Sequence, residues 1–433
     1  MKCKKILSLL AAFTITSSLL VGCGTSSSSS GSSGSSKKVK ISIMNSKGEI
    51  QSQLEEAVKT FSKANPNITI DVVACSAGQP PFEKLSTMYS SQNAPALAIV
   101  DPGDVIKFKD KFADLSNEKW VKDAQEGSLD TVKLDGKTMG FPLTVEGDGI
   151  IYNKKVLDKA GVDPTKIKTT NDLEEAFKKV QATGVAPVAL SPMDWSLGSH
   201  FFGTSYATQS KDSKDNAKFL DDLKAGKVNL AQNKQFNGLI ATLDVLKKYN
   251  IDKGDALAAT YEKDQQYIGE GKVGFWFMGN WAWPQIKQFS GDNKDFGFIP
   301  VPVSNNADDY GNSGIAVGVT KYIGLDKTNN NADQQAAAKK FLNWLVYDKD
   351  GQDIMVNKAS IITAFKNITL APNDPLSKSI KDHMNSKNTI EFMTVLPSDH
   401  GTKVGAAMQK YVGNKEDKAA LANEIQAYWK TVK

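Results

Sequence analysis

The sequence predicts an α/β fold built on a parallel-rich sheet, and three stretches carry that expectation. The first is the succession of strand, helix and strand between Val39 and Ala74, the compass of a right-handed crossover unit. The second is Ala96 to Val100, a continuous apolar run of the kind buried on both faces of a parallel sheet. The third is Gly271 to Lys287, GKVGFWFMGNWAWPQIK, which holds three of the seven tryptophans and reads as strand, tight turn and helix.

Ahead of any fold stands a processing segment. Met1 to Lys5 is basic, Ile6 to Val21 is apolar, and Leu20-Val21-Gly22-Cys23 follows. The apolar run is too short and too rich in Ser and Thr to make a convincing spanning helix. It resembles a bacterial lipoprotein signal, which implies removal of residues 1–22 and lipidation of Cys23; an ordinary secretory peptide is the alternative. Residues 23–37, nearly all Ser and Gly, cannot bury apolar surface and read as a flexible tether. Cys75 then stands alone, so no intramolecular disulfide is expected, and stability must come from a core that 433 residues can supply.

Charge excludes some partners. The formal +5 drops to +2 once Lys2, Lys4 and Lys5 leave, which gives a nucleic-acid partner no electrostatic support. All 53 basic residues are lysine. Without arginine the chain lacks the planar fork that grips carboxylates and phosphates, so a neutral ligand fits better.

In chain order, Val39 to Met44 alternates as a first strand, and Ser46 with Glu49 reads as a capping box opening a helix. That helix carries Leu54, Ala57, Val58 and Phe61 on one face and ends near Asn65-Pro66. Strand Ile68 to Ala74, helix Phe82 to Ser91 and strand Ala96 to Val100 follow, with Asp101 at the last carboxyl end. Ligands of open α/β sheets bind beyond such ends, so Asp101 and the Asn45-Ser46 turn share one candidate crevice. A surface segment runs through Trp120, Leu134 to Pro142 reads as a hairpin, and Gly147 and Gly149 mark a flexible bend. Further on, Thr328 to Val346 is an amphipathic helix with Ala336, Phe341, Leu342 and Leu345 facing inward, and Lys418 to Trp429 is a terminal helix.

Asp135-Gly136-Lys137, Gly140-Phe141-Pro142, Glu146, Tyr152-Asn153-Lys154, Ala160 to Pro164 and the helix Asn171 to Thr183 fall in one order with Gly279 to Trp283, Phe296 to Pro302 and Gly311 to Val319. This collinear set resembles the extracellular solute-binding proteins of carbohydrate ABC importers, in the branch that includes maltose-binding proteins. The resemblance implies a two-lobed periplasmic-binding-protein fold of type II, each lobe a parallel-rich sheet flanked by helices. Chain crossings are expected near Thr144 to Gly147, Pro300 to Val303 and Tyr347 to Gly351. The N-terminal lobe then takes residues 38–145 and 303–350, and the C-terminal lobe 146–302 and 351–433.

It also implies site residues. Trp281, directly after the Gly279-Asn280 turn, would stack on a sugar ring, while Trp276 and Trp283 read as core. Glu146 would accept sugar hydroxyls at the hinge, Trp195 would stack with Asp194 beside it, and Asn312 would contribute from a Gly-rich turn. Trp195 as core and Asn312 as a plain turn are the alternatives. Several stacking tryptophans favour an oligosaccharide over a monosaccharide. Asn45 to Gly48 and Ser360 to Thr363 depart from the maltose-binding pattern, which leaves the substrate open.

Chemistry has weak footing. Glu146 and Asp148, two apart in an extended segment, would sit about 7 Å apart on one face, a spacing compatible with an inverting glycosidase. Against this, such acid pairs are common surface features. His200, His383 and His400 have no ligand spacing, so neither metal nor cofactor is indicated. The reading is a monomeric, lipid-anchored receptor on the outer face of a cell membrane, Gram-positive in origin. It would deliver a neutral mono- or oligosaccharide to importer permease subunits, touching the membrane only through its anchor. An extracellular glycoside hydrolase, or a sugar sensor for a signalling kinase, is the alternative.

Overall fold

Strand β1 (Val39–Asn45) is followed by the helix Gln51–Ala64 and by β2 (Ile68–Ala74), which lies parallel to β1 from Val39↔Ile68 to Asn45↔Ala74. The crossover unit therefore forms, with Leu54, Ala57, Val58 and Phe61 buried on the helix. The structure, a computed structural model, describes residues 37–76 and 79–432; the signal, Cys23 and the tether up to residue 36 lie outside the described residues. The expected capping box does not form. Ser46 Oγ has no hydrogen-bond partner among the described residues, and Glu49 instead holds the Lys47 ammonium at 2.5 Å. A buried cation attracts a carboxylate more strongly than a backbone N–H does.

A helix Pro81–Ser90 leads to β3 (Leu97–Val100), buried along its whole length and parallel to β1. Trp120, expected on the surface, is fully buried, its indole edge-on to Phe141 at 5.0 Å. The hairpin of β4 (Lys133–Leu134) and β5 (Lys137–Thr138) turns at Asp135-Gly136 as its sequence suggests. Next comes β6 (Phe141–Asn153), the longest strand, extended straight through the expected bend. Gly147 serves close packing there: a Cβ would fall 2.5 Å from Ile380 Cδ1 and 2.9 Å from the Ala316 carbonyl.

The remaining strands are β7 (Ala186–Ala189), β8 (Val273–Gly279), β9 (Phe296–Ile299), β10 (Ile315–Leu325) and β11 (Thr389–Glu391). One sheet joins them in the order β2-β1-β3-β10-β6-β8-β7, with β11 beside β10 and β9 beside β6. Two long antiparallel strands, β6 and β10, thus run through its middle. On the other edge of β10, β11 covers Ile315 to Val317 and β3 covers Tyr322 to Leu325. Between them residues 318–321 have no strand partner on that edge among the described residues.

Two large apolar clusters flank this middle. One gathers β1, β3, the helix Gln51–Ala64 and the helix Ala332–Tyr347, together with Ile354 to Ile368. The other gathers β7, Phe275 and Phe277 of β8, and residues from Val404 to Trp429. The helix Ala332–Tyr347 starts later than expected because Asn331 caps it, with Gln334 completing a capping box. Its inward face carries Ala337, Ala338, Phe341, Leu342 and Leu345, whereas Ala336 is exposed. The terminal helix Lys418–Trp429 forms as expected.

Candidate functional site

Strand directions bring functional side chains to the middle of the sheet. β1 and β3 are parallel, so Lys47 and Asp101 leave their carboxyl ends together. β11 comes from the other side, ending at Glu391 beside Val317, while β8 ends at Gly279 beside Asp148 of β6. Carboxyl ends from both halves therefore meet at the gap over β10, and they deliver Lys47, Asp101, Trp195, Trp281 and Phe392. A cavity of about 380 Å³ borders the gap on its other flank, between Gly127, Thr131, Leu220, Lys224, Val319 and Phe392; of the delivered side chains only Phe392 lines it.

Lys47 and Glu146 anchor one side. Lys47 is 3% exposed, and its ammonium lies 2.6 Å from Glu146 Oε1 and 2.5 Å from Glu49, while the Thr320 hydroxyl donates to Glu146 Oε2. Burial alone would lower the Lys47 pKa, but the two carboxylates outweigh it and raise it above the usual lysine range. Burial, then the charges of Glu49 and Glu146, push the Tyr261 hydroxyl up as well, which ties Tyr261 to this group. Asp101, for its part, is paired with Lys321 at 2.5 Å.

Rings build the other side. Trp281 lies across Gly279, where an added Cβ would fall 1.9 Å from its indole, so the Gly-Asn-Trp turn exists to fold the ring back over the strand end. A π-helix, Trp195–Phe201, sets Trp195 and His200 one turn apart, because its hydrogen bonds run i to i+5. The His200 ring then meets Trp195 at 5.3 Å, Trp281 at 5.1 Å and Phe392 at 5.3 Å, each edge to face. Trp195 also touches Tyr261, at 5.8 Å. Trp276 and Trp283, expected in the core, are buried.

Beneath the rings is Asp148, 2% exposed. Its Oδ2 has no hydrogen-bond partner among the described residues, and burial pushes the carboxyl up to about 8. His200 Nδ1 is likewise unpartnered, 3.9 Å from that oxygen. Burial, reinforced by Lys321 and opposed by Asp101, holds His200 down at about 4.

The candidate residues separate accordingly. Trp195, Trp281, Glu146 and Asp101 come together at the gap. Asn45 and Asn312 spend their amides on their own loops: Asn45 on Lys47 and Gln51, Asn312 on Val303, Ser304 and Asn306. Neither is left to face a ligand. Asp194 caps the π-helix by accepting from the Trp195 N–H, and Ser46 keeps an unpartnered hydroxyl beside Lys47. His200, Tyr261, Thr320, Lys321 and Phe392 escape sequence reasoning. For His200 the sequence held no signal, because its five-residue offset from Trp195 has meaning only in a π-helix.

The sequence pattern of the family described as bacterial extracellular solute-binding protein matches residues 45–352. The chain belongs to that family. An uncharacterised ABC transporter extracellular-binding protein of Pyrococcus horikoshii is 24% identical to this solute-binding protein over 407 residues, 91% of this chain and 86% of its own length. A maltooligosaccharide ABC transporter solute-binding lipoprotein of Streptococcus pneumoniae is 22% identical, with 100% of this chain and 98% of its own covered. Among solved structures, that of the SBP RafE in complex with raffinose matches with a TM-score of 0.76 at 20% identity, over 91% of this chain and 99% of the other. The fold is the two-lobed α/β fold of periplasmic binding proteins, and these relatives are named as binding proteins.

Proposed function

We propose that this solute-binding protein captures a neutral oligosaccharide at the middle of its sheet and delivers it to the permease subunits of an ABC importer. The observation that carries this is the ring group Trp195, Trp281 and Phe392 set around buried polar atoms where carboxyl ends from both halves converge. Aromatic faces suit the C–H face of a sugar, and polar atoms at their edges suit its hydroxyls. Lysine as the sole basic residue type, and relatives named for maltooligosaccharide and for raffinose, support the same class of ligand.

The two apolar clusters are the cores of two lobes joined through β6 and β10, and ligand touching both favours the closed arrangement by contacts only that arrangement offers. Cys23 carries the lipid that holds the protein at the outer face of the membrane of a Gram-positive cell, with residues 23–37 as tether. The protein is a receptor and no hydrolase: a glycosidase needs two carboxyl groups free to flank the scissile bond, and both oxygens of Glu146 are engaged by Lys47 and Thr320.

Titration calorimetry against neutral mono- and oligosaccharides tests this, with Trp281→Ala in parallel. Tight binding of one series, weakened at least tenfold by the substitution, is expected from the loss of a stacking face. Overnight incubation returns the sugar intact; released monosaccharide would establish hydrolysis instead.

A further inference from the structure

Asp148 Oδ2 and His200 Nδ1 are both buried and unpartnered among the described residues, and they face each other across 3.9 Å. That separation is too long for a hydrogen bond. Nor can the imidazole swing closer, because Trp195, Trp281 and Phe392 hold its ring on three sides. Asp148 is equally fixed, in mid-strand between Ala316 of β10 and Gly279 of β8. Buried polar atoms are ordinarily paired, and two left unpaired within reach of one another need an explanation.

One oxygen atom supplies it. A point about 2.8 Å from each atom exists whenever the two are less than twice that distance apart, so a single oxygen can satisfy both. The group must donate to one and accept from the other, as a hydroxyl does. With the carboxyl ionised, the hydroxyl donates to Asp148 and accepts from the imidazole N–H; with it protonated, the roles reverse through the other tautomer. We propose that Asp148 and His200 form one subsite, in which a single hydroxyl of the ligand bridges Asp148 Oδ2 and His200 Nδ1 at the edge of the Trp281 indole. The subsite rests on the sugar reading above and deepens it.

Electrostatics favour a neutral occupant. The charges that reach His200 are Lys321 of β10 and Asp101 at the end of β3, and these are paired with each other. The carboxyl near 8 and the imidazole near 4 leave both groups mostly uncharged at pH 7. An ammonium would find no anion to neutralise it, and an anion would find no cation. The subsite also confers selectivity: an analogue lacking the bridging hydroxyl would leave two buried polar atoms unpaired, which such sites reject strongly.

The test is a double-substitution cycle read by calorimetry. The protein is titrated with maltotriose, raffinose, stachyose, xylotriose and chitotriose, and the tightest binder is carried to Asp148→Leu, His200→Phe and the double variant. Each single change is expected to weaken binding about 10- to 100-fold, the loss of a hydrogen bond to a charged or strongly polar partner. Because both side chains hold one oxygen, the double variant should be weakened no more than about threefold beyond the worse single. Denaturant midpoints of the four unliganded proteins separate this from a structural coupling: the subsite requires the non-additivity in sugar affinity, whereas a structural role would place it in stability. Single variants within about threefold of the unaltered protein, or losses that multiply, overturn the subsite. If the unaltered protein binds none of the five sugars, the sugar reading falls and the subsite with it, which is distinct from a protein that binds sugar equally well without the pair. Should Asp148→Leu fail to unfold cooperatively, Asp148→Ala, which removes the bridged oxygen without adding bulk, replaces it under the same criterion.

Discussion

Glu146 and Asp148 stand two residues apart on one face of β6, equally buried, and they have opposite circumstances. Glu146 is held by an ammonium on one oxygen and a hydroxyl on the other. Asp148 Oδ2 is held by nothing among the described residues. The contrast teaches that burial alone does not separate a ligand-facing carboxylate from a structural one; what separates them is whether the fold has already satisfied it. By that standard Glu146 belongs to the framework that holds the loop carrying Lys47 and Glu49 against β6, and Asp148 is the carboxyl left for the proposed subsite.

The strongest way to break this comparison is to remove the partner that makes Glu146 structural. Lys47→Met leaves a buried carboxylate uncompensated and should cost about 3–5 kcal/mol, read from denaturant midpoints. A change under about 1 kcal/mol would mean Glu146 is solvated and available to ligand after all. A second test uses pH. Burial raises the folded-state pKa of Asp148 to about 8, above the ordinary carboxyl value near 4, so its contribution to stability is complete below about 4 and is lost as pH rises through 8. Unliganded protein should therefore lose stability relative to Asp148→Asn between pH 5 and 8, on the order of a few kcal/mol. Parallel curves would place the carboxyl in water. The smallest effect is expected from Thr320→Val, which removes only a hydroxyl donor to Glu146: about 1 kcal/mol of stability, with sugar affinity unchanged.

Much of the fold was legible because apolar periodicity reports it directly. β1, β2, β8 and the terminal helix lie within a residue or so of their expected bounds, and the helix between β1 and β2 shows the expected buried face although it starts later than its expected cap, since each buries a face that the spacing of Leu, Ile, Val and Phe declares. The Trp281 corner was legible too, through Gly279 and Pro284. Other features were hidden for physical reasons. A lysine in a Ser-Lys-Gly loop reads as solvated, yet Lys47 is buried because Glu146, far away in sequence, neutralises it. A π-helix leaves no 3.6-residue signature, so His200 gave no sign of turning toward Trp281. Asn45 and Asn312 misled in the other direction: amides near a crevice suggest ligand contacts, but tight loops need those same amides to satisfy their own backbone.

The uncovered stretch of β10 has a mechanical consequence. Since β6 and β10 belong to the sheet on both sides of the gap, relative movement of the halves would be taken up as bending and torsion along two neighbouring ribbons whose ladder hydrogen bonds stay paired. The place least braced against torsion is Gly318 to Lys321, where one edge is bare and the pairing with β6 slips register at Val319, Lys321 and Tyr322. A torsion bar anchored in this way returns to its rest angle. The stiffness of these few residues, more than any contact across the opening, would then set how far the halves rotate before a ligand has to hold them.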